Sequence, residues 1–536
     1  MKRVIDHPTL DGDGDPTDAS PKNSTWRYIF QNASTTATLG GLGVVSGLIL
    51  DALILSAFGV GAQTDAFFTA LTVPLLITNG FSIQCPKVLI PVFSEYFRHR
   101  DHAAAWDLLR NLLTTAFCVL LGICLLGAAL SVIIVPLQIP GLESKTIAVA
   151  VWLSRLIFAL VLCQGLASIL QSVLYAQHRY LLSSSGKLLS NIVTIIVVVL
   201  CHGRFGIQAV VAGMLFGNFV QVVILASALS THNFRYHWVL KPFDPKLREI
   251  LTSFRYPLAG HVLGESAAIL QNVLGSFLAS GNVTVMRYAS RIVQSIAGVL
   301  LGSVVQVTFP LMARHAAAND LNAQRKTLLA SVRLLTVVGL PVCIWLFFTA
   351  EPLVVLLFER GEFSRADAAL TGVLIRFMIP DILLGRVVSV TQTLFNANMD
   401  LRTPLISTVI FTFAHTAFAI LLVALLGVLG LPIAVSLASL SNTIYMIVKL
   451  QSRLGPVGWS EMRDFPFRLA ATCAMGGGGF AVGAKLATLT TVSYSVAKFL
   501  GVAMPTALGM CLFIAGALSF RLIDSRLWLA VERRVS

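Results

Sequence analysis

Ionisable side chains set inside long apolar runs are the residues of this sequence that could do chemistry. An ion at the centre of a bilayer costs roughly 2.5–3.5 kcal/mol unless a partner or water relieves it. Arg255, His261, Glu265, Arg287 and Arg291 form the densest such set. Arg287 and Arg291 are four residues apart, so on a helix both guanidinium groups share one face. Two cations on one face, beside a cavity, suit a phosphate or diphosphate, which arginine grips through paired hydrogen bonds. The structural alternative is that Arg291 is neutralised by Glu265 while Arg287 reaches back to the membrane surface.

Asp51 and Lys87 are a second set, with Pro74, Pro86 and Pro91 interrupting the run that holds Lys87. Helix breaks beside buried charge mark moving parts or binding sites in transporters; an Asp51–Lys87 ion pair that only neutralises two costly groups is the competing reading. Asp381 and Arg386, following Pro380, read as a structural pair, and Arg155, Arg333 and Arg376 are single charges. Asp65 stands at a helix entrance after Gly59 and Gly61. No HExxH, Walker A, GxSxG or strand-to-helix GxGxxG pattern is present, so a transporter is expected rather than an enzyme. Eight cysteines stand singly in apolar segments without metal-ligand spacing and read as packing residues. The alternating Asp11, Asp13 and Asp15 lack the glycine and terminal acid of a calcium loop, with Pro16 and Lys22 in those places.

The elements that must position these charges follow from composition. The chain has 536 residues, 56% hydrophobic and 12% charged, where a soluble protein has about a quarter charged. Mean hydropathy is +0.81, and continuous apolar runs of about 20 residues recur, each long enough for a roughly 30 Å hydrocarbon core. Because the runs do not alternate with period two, helices rather than a barrel are predicted. The expected fold is an all-α polytopic membrane protein of about fourteen transmembrane helices, two six-helix lobes around a central cavity plus a C-terminal helix pair.

Longer polar connectors set the organisation. A disordered cytoplasmic tail is predicted over 1–26, with no signal peptide, and a first lobe of six spans over 27–230. A cytoplasmic connector at 231–250 leads to a second six-span lobe over 251–452. A connector at 453–466, a final pair of spans over 467–520 and a cytoplasmic tail over 521–536 complete the chain. Lys and Arg, including Arg179 and Lys187, fall roughly four to one on the loops of one side, which places both termini in the cytoplasm of a bacterial inner-membrane protein. The formal charge of +14 is explained by this topology. It forms no aromatic-interleaved patch, so no nucleic-acid partner is expected.

The order of motifs resembles the MurJ/MviN family of lipid II flippases, within the larger group of multidrug and oligosaccharidyl-lipid exporters. The resemblance is carried by Phe58-Gly-Val-Gly-Ala-Gln-Thr64-Asp65-Ala-Phe-Phe68, Pro91-Val-Phe-Ser-Glu95-Tyr96, Ser276-Phe-Leu-Ala-Ser-Gly281, Tyr288-Ala-Ser-Arg291, Leu357-Phe-Glu-Arg-Gly361-Glu-Phe363 and Thr403-Pro404. It implies a V-shaped cavity that takes a polyprenyl-diphosphate-linked glycan, by default lipid II, from the cytoplasmic to the outer leaflet by alternating access. It also implies a groove for the polyprenyl tail on the last two spans. Arg291 matches the family's cavity arginine, Asp65 its acid at the start of span two, and Asp51 its acid on span one. Leu50 stands where the family has an arginine, Val44 near where it has another, and Lys87 is the substitute cation on span two.

The expected substrate-binding set is therefore Arg291, Lys87, Asp65, Asp51, Arg255, Glu265 and Arg287, with no catalytic or metal-ligating residue. No resident cofactor is expected, transport drawing on the membrane potential or a monovalent cation. The partners are the lipid-linked glycan and the bilayer, and the chain is expected to act as a monomer. Alternatives are a flippase for an exopolysaccharide or another lipid-linked oligosaccharide, an ion-coupled small-molecule exporter, or a paralogue that no longer transports.

Overall fold

The computed structural model describes residues 41–520 apart from 100, 178, 231–233, 319, 399, 401, 456–464 and 490–493. The tails expected over 1–26 and 521–536, the start of the first span and most of the connector at 453–466 lie outside the described residues. Among the described residues all regular structure is helical, as it must be where lipid offers the backbone no hydrogen-bond partner.

The first half comprises α1 (Gly41–Phe58), α2 (Ala62–Arg98), α3 (His102–Gln138), α4 (Ser144–Ile157), α5 (Ala159–Ala176), α6 (Tyr180–Phe205) and α7 (Gln208–Ser230). The second comprises α8 (Pro245–Ser276), α9 (Asn282–Ala317), α10 (Leu321–Phe358), α11 (Arg365–Ala397), α12 (Arg402–Leu426) and α13 (Gly430–Leu454), and the chain closes with α14 (Phe465–Leu489) and α15 (Tyr494–Ser519). α4 and α5 form one rod, interrupted at Phe158, whose ring fills the space that a side chain at Gly127 of α3 would need. With these two joined, the described residues hold fourteen rods.

Among the described residues nine continuous stretches are long and apolar enough to cross a membrane, one of which, Arg402–Leu454, contains both α12 and α13. α8, α9, α11 and α14 fall outside that set. The first three each carry two or more charges within their runs, and α14 carries four consecutive glycines, 476–479. α2 and α10, with 37 and 38 residues, are about 55 Å long, so their ends stand clear of a core roughly 30 Å thick. Polar caps end such helices in water: Asp101 accepts from Ala104 N, Asp244 caps α8 just before Pro245, and Asp320 accepts from Ala323 N. Asp400 does the same for α12. Partial burial would raise its carboxyl, but hydrogen bonds from Thr403 and the Arg402 N–H, with Arg453 3.6 Å away, hold it below the usual range.

Packing follows chain order. α2 lies against α4 and α5, α5 against α3 and α7, and α6 against α7; in the second half α9, α10, α11 and α13 pack together with α12 on α13. α8 bridges the halves, touching α2 and α3 on one side and α12 on the other. The connector after α7 runs beside α3, where Asn111 exchanges hydrogen bonds with the Lys241 backbone and Phe234 packs on Trp106. α14 and α15 pack closely because Gly509 receives the Phe480 ring and Gly483 the Pro505 backbone. The pair docks on α10 through Trp345 Nε1 donating to Thr506 Oγ1 at 2.7 Å and a Lys498–Glu359 ion pair at 3.3 Å.

Candidate functional site

At one end of the molecule the turns between α1 and α2, α8 and α9, and α10 and α11 interlock. The Asp65 carboxylate, in the first turn of α2, accepts from the N–H of Gly281 at 2.6 Å, the N–H of Thr284 at 2.9 Å and the Thr284 hydroxyl at 2.6 Å. Gly281 has φ 94°, the left-handed region, and Val60 occupies the place a Cβ would take. Gly361, also left-handed at φ 58°, lies so close to Ser56 that a Cβ would sit 2.1 Å from its carbonyl oxygen, and Glu362 N donates to that same oxygen. Behind these turns a chain of ring contacts runs through Phe67, Phe68, Tyr288, Phe358 and Phe363, all buried. Both halves contribute to this seal.

Below it lies a cavity of about 550 Å³ lined by α1, α2, α5, α6, α7 and α9. Five of these six helices belong to the first half, and α9 brings Arg287, Tyr288 and Arg291 from the second, so the cavity lies where the two halves meet. Its charged lining is Lys187, Arg287 and Arg291 against Asp51, a formal excess of two positive charges. Arg291 Nε is 3.4 Å from Asp51 Oδ2, joining α9 to α1, yet 53% of the arginine side chain remains exposed to the cavity. Gly47 on α1 makes that approach feasible, because a Cβ there would be 3.2 Å from Arg291 Nη2. Arg287 lies over the Phe68 ring at 5.1 Å.

The neutral polar lining falls in helical stripes: Gln164, Ser168, Gln171 and Tyr175 on α5, Ser190, Asn191 and Thr194 on α6, and Asn218 and Gln221 on α7. Asn191 reaches across to Ser46 Oγ at 2.9 Å, while Asn218 Oδ1 and Gln221 Oε1 are buried without hydrogen-bond partners. The cavity-lining amide and hydroxyl groups of these stripes give a ligand's hydroxyl and amide groups something to bind.

Of the seven residues expected to bind substrate, Arg291, Arg287 and Asp51 come together here. Lys87 does not. It lies on α2 five residues beyond Ser82, the last residue of that helix in the cavity lining, and donates to Gln84 Oε1 at 3.2 Å. It lines a separate pocket of about 600 Å³ between the far end of α2 and the start of α8, with Glu95, Lys246 and Glu249. Asp51 accordingly pairs with Arg291 and not with Lys87. Asp65 is a correction too: its carboxylate is saturated by donors of α9 and holds the seal instead of facing the cavity.

Glu265 neither lines the cavity nor pairs with Arg291. Across the α8–α9 hairpin, Glu265 is sixteen residues before Gly281 and Arg291 ten after it, a stagger of about 9 Å. Arg255 is on α8, and its side chain lies outside the described residues. His261 touches the Leu76 carbonyl of α2 at 3.1 Å, and Asp381 accepts from Ser439 of α13, with no direct ion pair to Arg386 among the described residues. Arg376 bonds the Phe347 carbonyl and lies 3.9 Å from Glu351.

Lys187 was read as a loop cation, but α6 begins at Tyr180 and carries it two turns into the helix, exposed to the cavity. The signal that could have found it is the spacing of Lys187, Asn191 and Thr194, and of Gln164, Ser168, Gln171 and Tyr175, each a polar stripe at helical period in an apolar run.

Two packed helical halves, a seal at one end and a water-exposed cationic cavity inside the membrane define a membrane transporter. Solved structures share this fold: a lipid II flippase MurJ in an inward closed conformation has a TM-score of 0.75 at 19% identity, covering 91% of this chain and 98% of that one. An inward-facing multidrug resistance MATE family transporter of the MOP superfamily has a TM-score of 0.63 at 16% identity, covering 78% and 95%. The model of the lipid II flippase MurJ family matches residues 54–502, and the chain belongs to that family. A probable lipid II flippase MurJ of Buchnera aphidicola subsp. Acyrthosiphon pisum (strain APS) is 24% identical over 419 residues, which are 76% of this chain and 81% of the relative. The protein is thus a multi-pass member of a transporter family of the bacterial inner membrane.

Proposed function

We propose that the protein moves lipid II, a polyprenyl-diphosphate-linked disaccharide pentapeptide, from the inner to the outer leaflet by alternating access. The observation that carries this reading is the cavity's excess of two positive charges, which matches the two negative charges of a diphosphate diester. The polar stripes of α5, α6 and α7 supply hydrogen-bonding groups for sugar and peptide. A carrier of cationic drugs would need the opposite balance of charge, which favours the flippase over the small-molecule exporter. Membership of the lipid II flippase family favours lipid II over an exopolysaccharide repeat unit.

The bias of Lys and Arg puts the termini in the cytoplasm and the sealed end outside, so the cavity is closed to the outer face in this state. Carrying two negative charges outward across an inside-negative potential gains roughly 2.3 kcal/mol per charge per 100 mV, and the membrane potential drives the cycle without a resident cofactor. The polyprenyl tail stays in lipid beside α14 and α15. The cavity is complete within one chain, which supports a monomer.

Expression in a strain depleted of its own lipid II flippase tests the reading. The wild-type chain restores growth and Arg291→Ala, made to the same level in the membrane, does not. Failure of the wild type there, with rescue of a strain lacking an exopolysaccharide flippase instead, would replace lipid II by the other glycan.

A further inference from the structure

Both cavity arginines stand on α9, in the second half, and Asp51, the one carboxylate lining the cavity among the described residues, is already engaged with one of them. The helices of the first half line most of the cavity, and Lys187 is the one cation they contribute to it among the described residues. Leu50 and Val44, which line the same space from α1, supply none. Lys187 has no ion-pair partner of its own among the described residues, and its side chain is exposed. It lies four residues before Asn191, on the same face of α6. Asn191 Nδ2 and Arg291 Nη2 both come within 4 Å of the point where a Gly47 side chain would start, so the lysine stands about one helical turn from the arginine's site.

From this arrangement we infer that Lys187 is a headgroup-binding residue: it takes one phosphate of the polyprenyl diphosphate while Arg291, with Arg287 beside it, takes the other. The inference rests on reading the cavity as a diphosphate site. An ammonium on a flexible stem suits this task, since it offers three donors and a point charge without demanding one orientation. The consequence is mechanical. A diphosphate held this way ties α6 of the first half to α9 of the second, the same two halves that Asp51 and Arg291 join. A single phosphate satisfies only one side of the bridge. Lys187 therefore sets the preference for a diphosphate over a monophosphate.

The experiment uses purified full-length protein in detergent micelles and two probes of equal chain length, a polyprenyl diphosphate and a polyprenyl monophosphate. The variants are Lys187→Met, Lys187→Arg and Arg291→Ala. The wild type prefers the diphosphate. Lys187→Met weakens diphosphate binding by about tenfold or more, the worth of one charge-assisted contact, brings it near the monophosphate value and leaves monophosphate binding within about threefold. Lys187→Arg keeps the preference, which separates loss of charge from loss of folding. If Lys187→Met retains the full preference while Arg291→Ala loses affinity, the role of Lys187 is refuted and the diphosphate site stands. If the wild type itself does not distinguish the two lipids, the diphosphate reading falls and this inference with it.

Discussion

Asp51 and Arg291 meet across the two halves at 3.4 Å, and the arginine still offers half of its side chain to the cavity. On the proposed function, Asp51 competes with the substrate diphosphate for Arg291. Asp51→Asn removes the competitor and leaves three cations without a carboxylate. Affinity for a polyprenyl diphosphate is expected to rise by about tenfold while turnover in reconstituted vesicles falls, because the empty cavity loses the contact that joined its halves. A fall in affinity as large as that of Arg291→Ala would show that Asp51 touches the substrate. Reading charge in apolar runs was enough to find Asp51, Arg287 and Arg291, since the cost of burying an ion is independent of the fold. It misassigned Lys187 as a loop cation, when α6 carries it two turns into the helix, and it counted Lys87 and Glu265 in the binding set when neither lines the cavity.

Among the elements, the first turns of α2 and α9 carry the seal. Asp65 accepts three hydrogen bonds there, and Asp65→Asn turns one acceptor into a donor facing a donor, at a cost of about 1–3 kcal/mol. Amides of Gly281 and Thr284 should then exchange with deuterium at least about tenfold faster than in the wild type. Unchanged exchange would mean that the interlocked glycine turns hold the end shut without the carboxylate. The fourteen rods were legible because bilayer thickness fixes the length of an apolar run. The break at Phe158 was not, because it depends on the pocket that Gly127 opens on a neighbouring helix. Nor could a motif alone tell a substrate acid from a cap: Asp65 stands at a helix start in both readings, and only its partners on α9 decide.

At the scale of the whole molecule, the two halves differ in task. The first encloses the cavity and supplies its neutral polar surface, while the second contributes the two arginines through α9 and supports the terminal pair on α10. Connector lengths suggested two six-span lobes, but they hold no information about how the lining is shared, and the first half supplies five of the six helices around the cavity where the halves meet. The account depends on a cation-lined cavity carrying a diphosphate-linked glycan through the membrane. The direct test is transfer of lipid II across the membrane of vesicles that contain only this protein, with an inside-negative potential imposed, for the wild type and Arg291→Ala. The account predicts transfer by the wild type that grows with the potential and falls at least about tenfold in the variant. Equal transfer by the two proteins, or none by either, would contradict it.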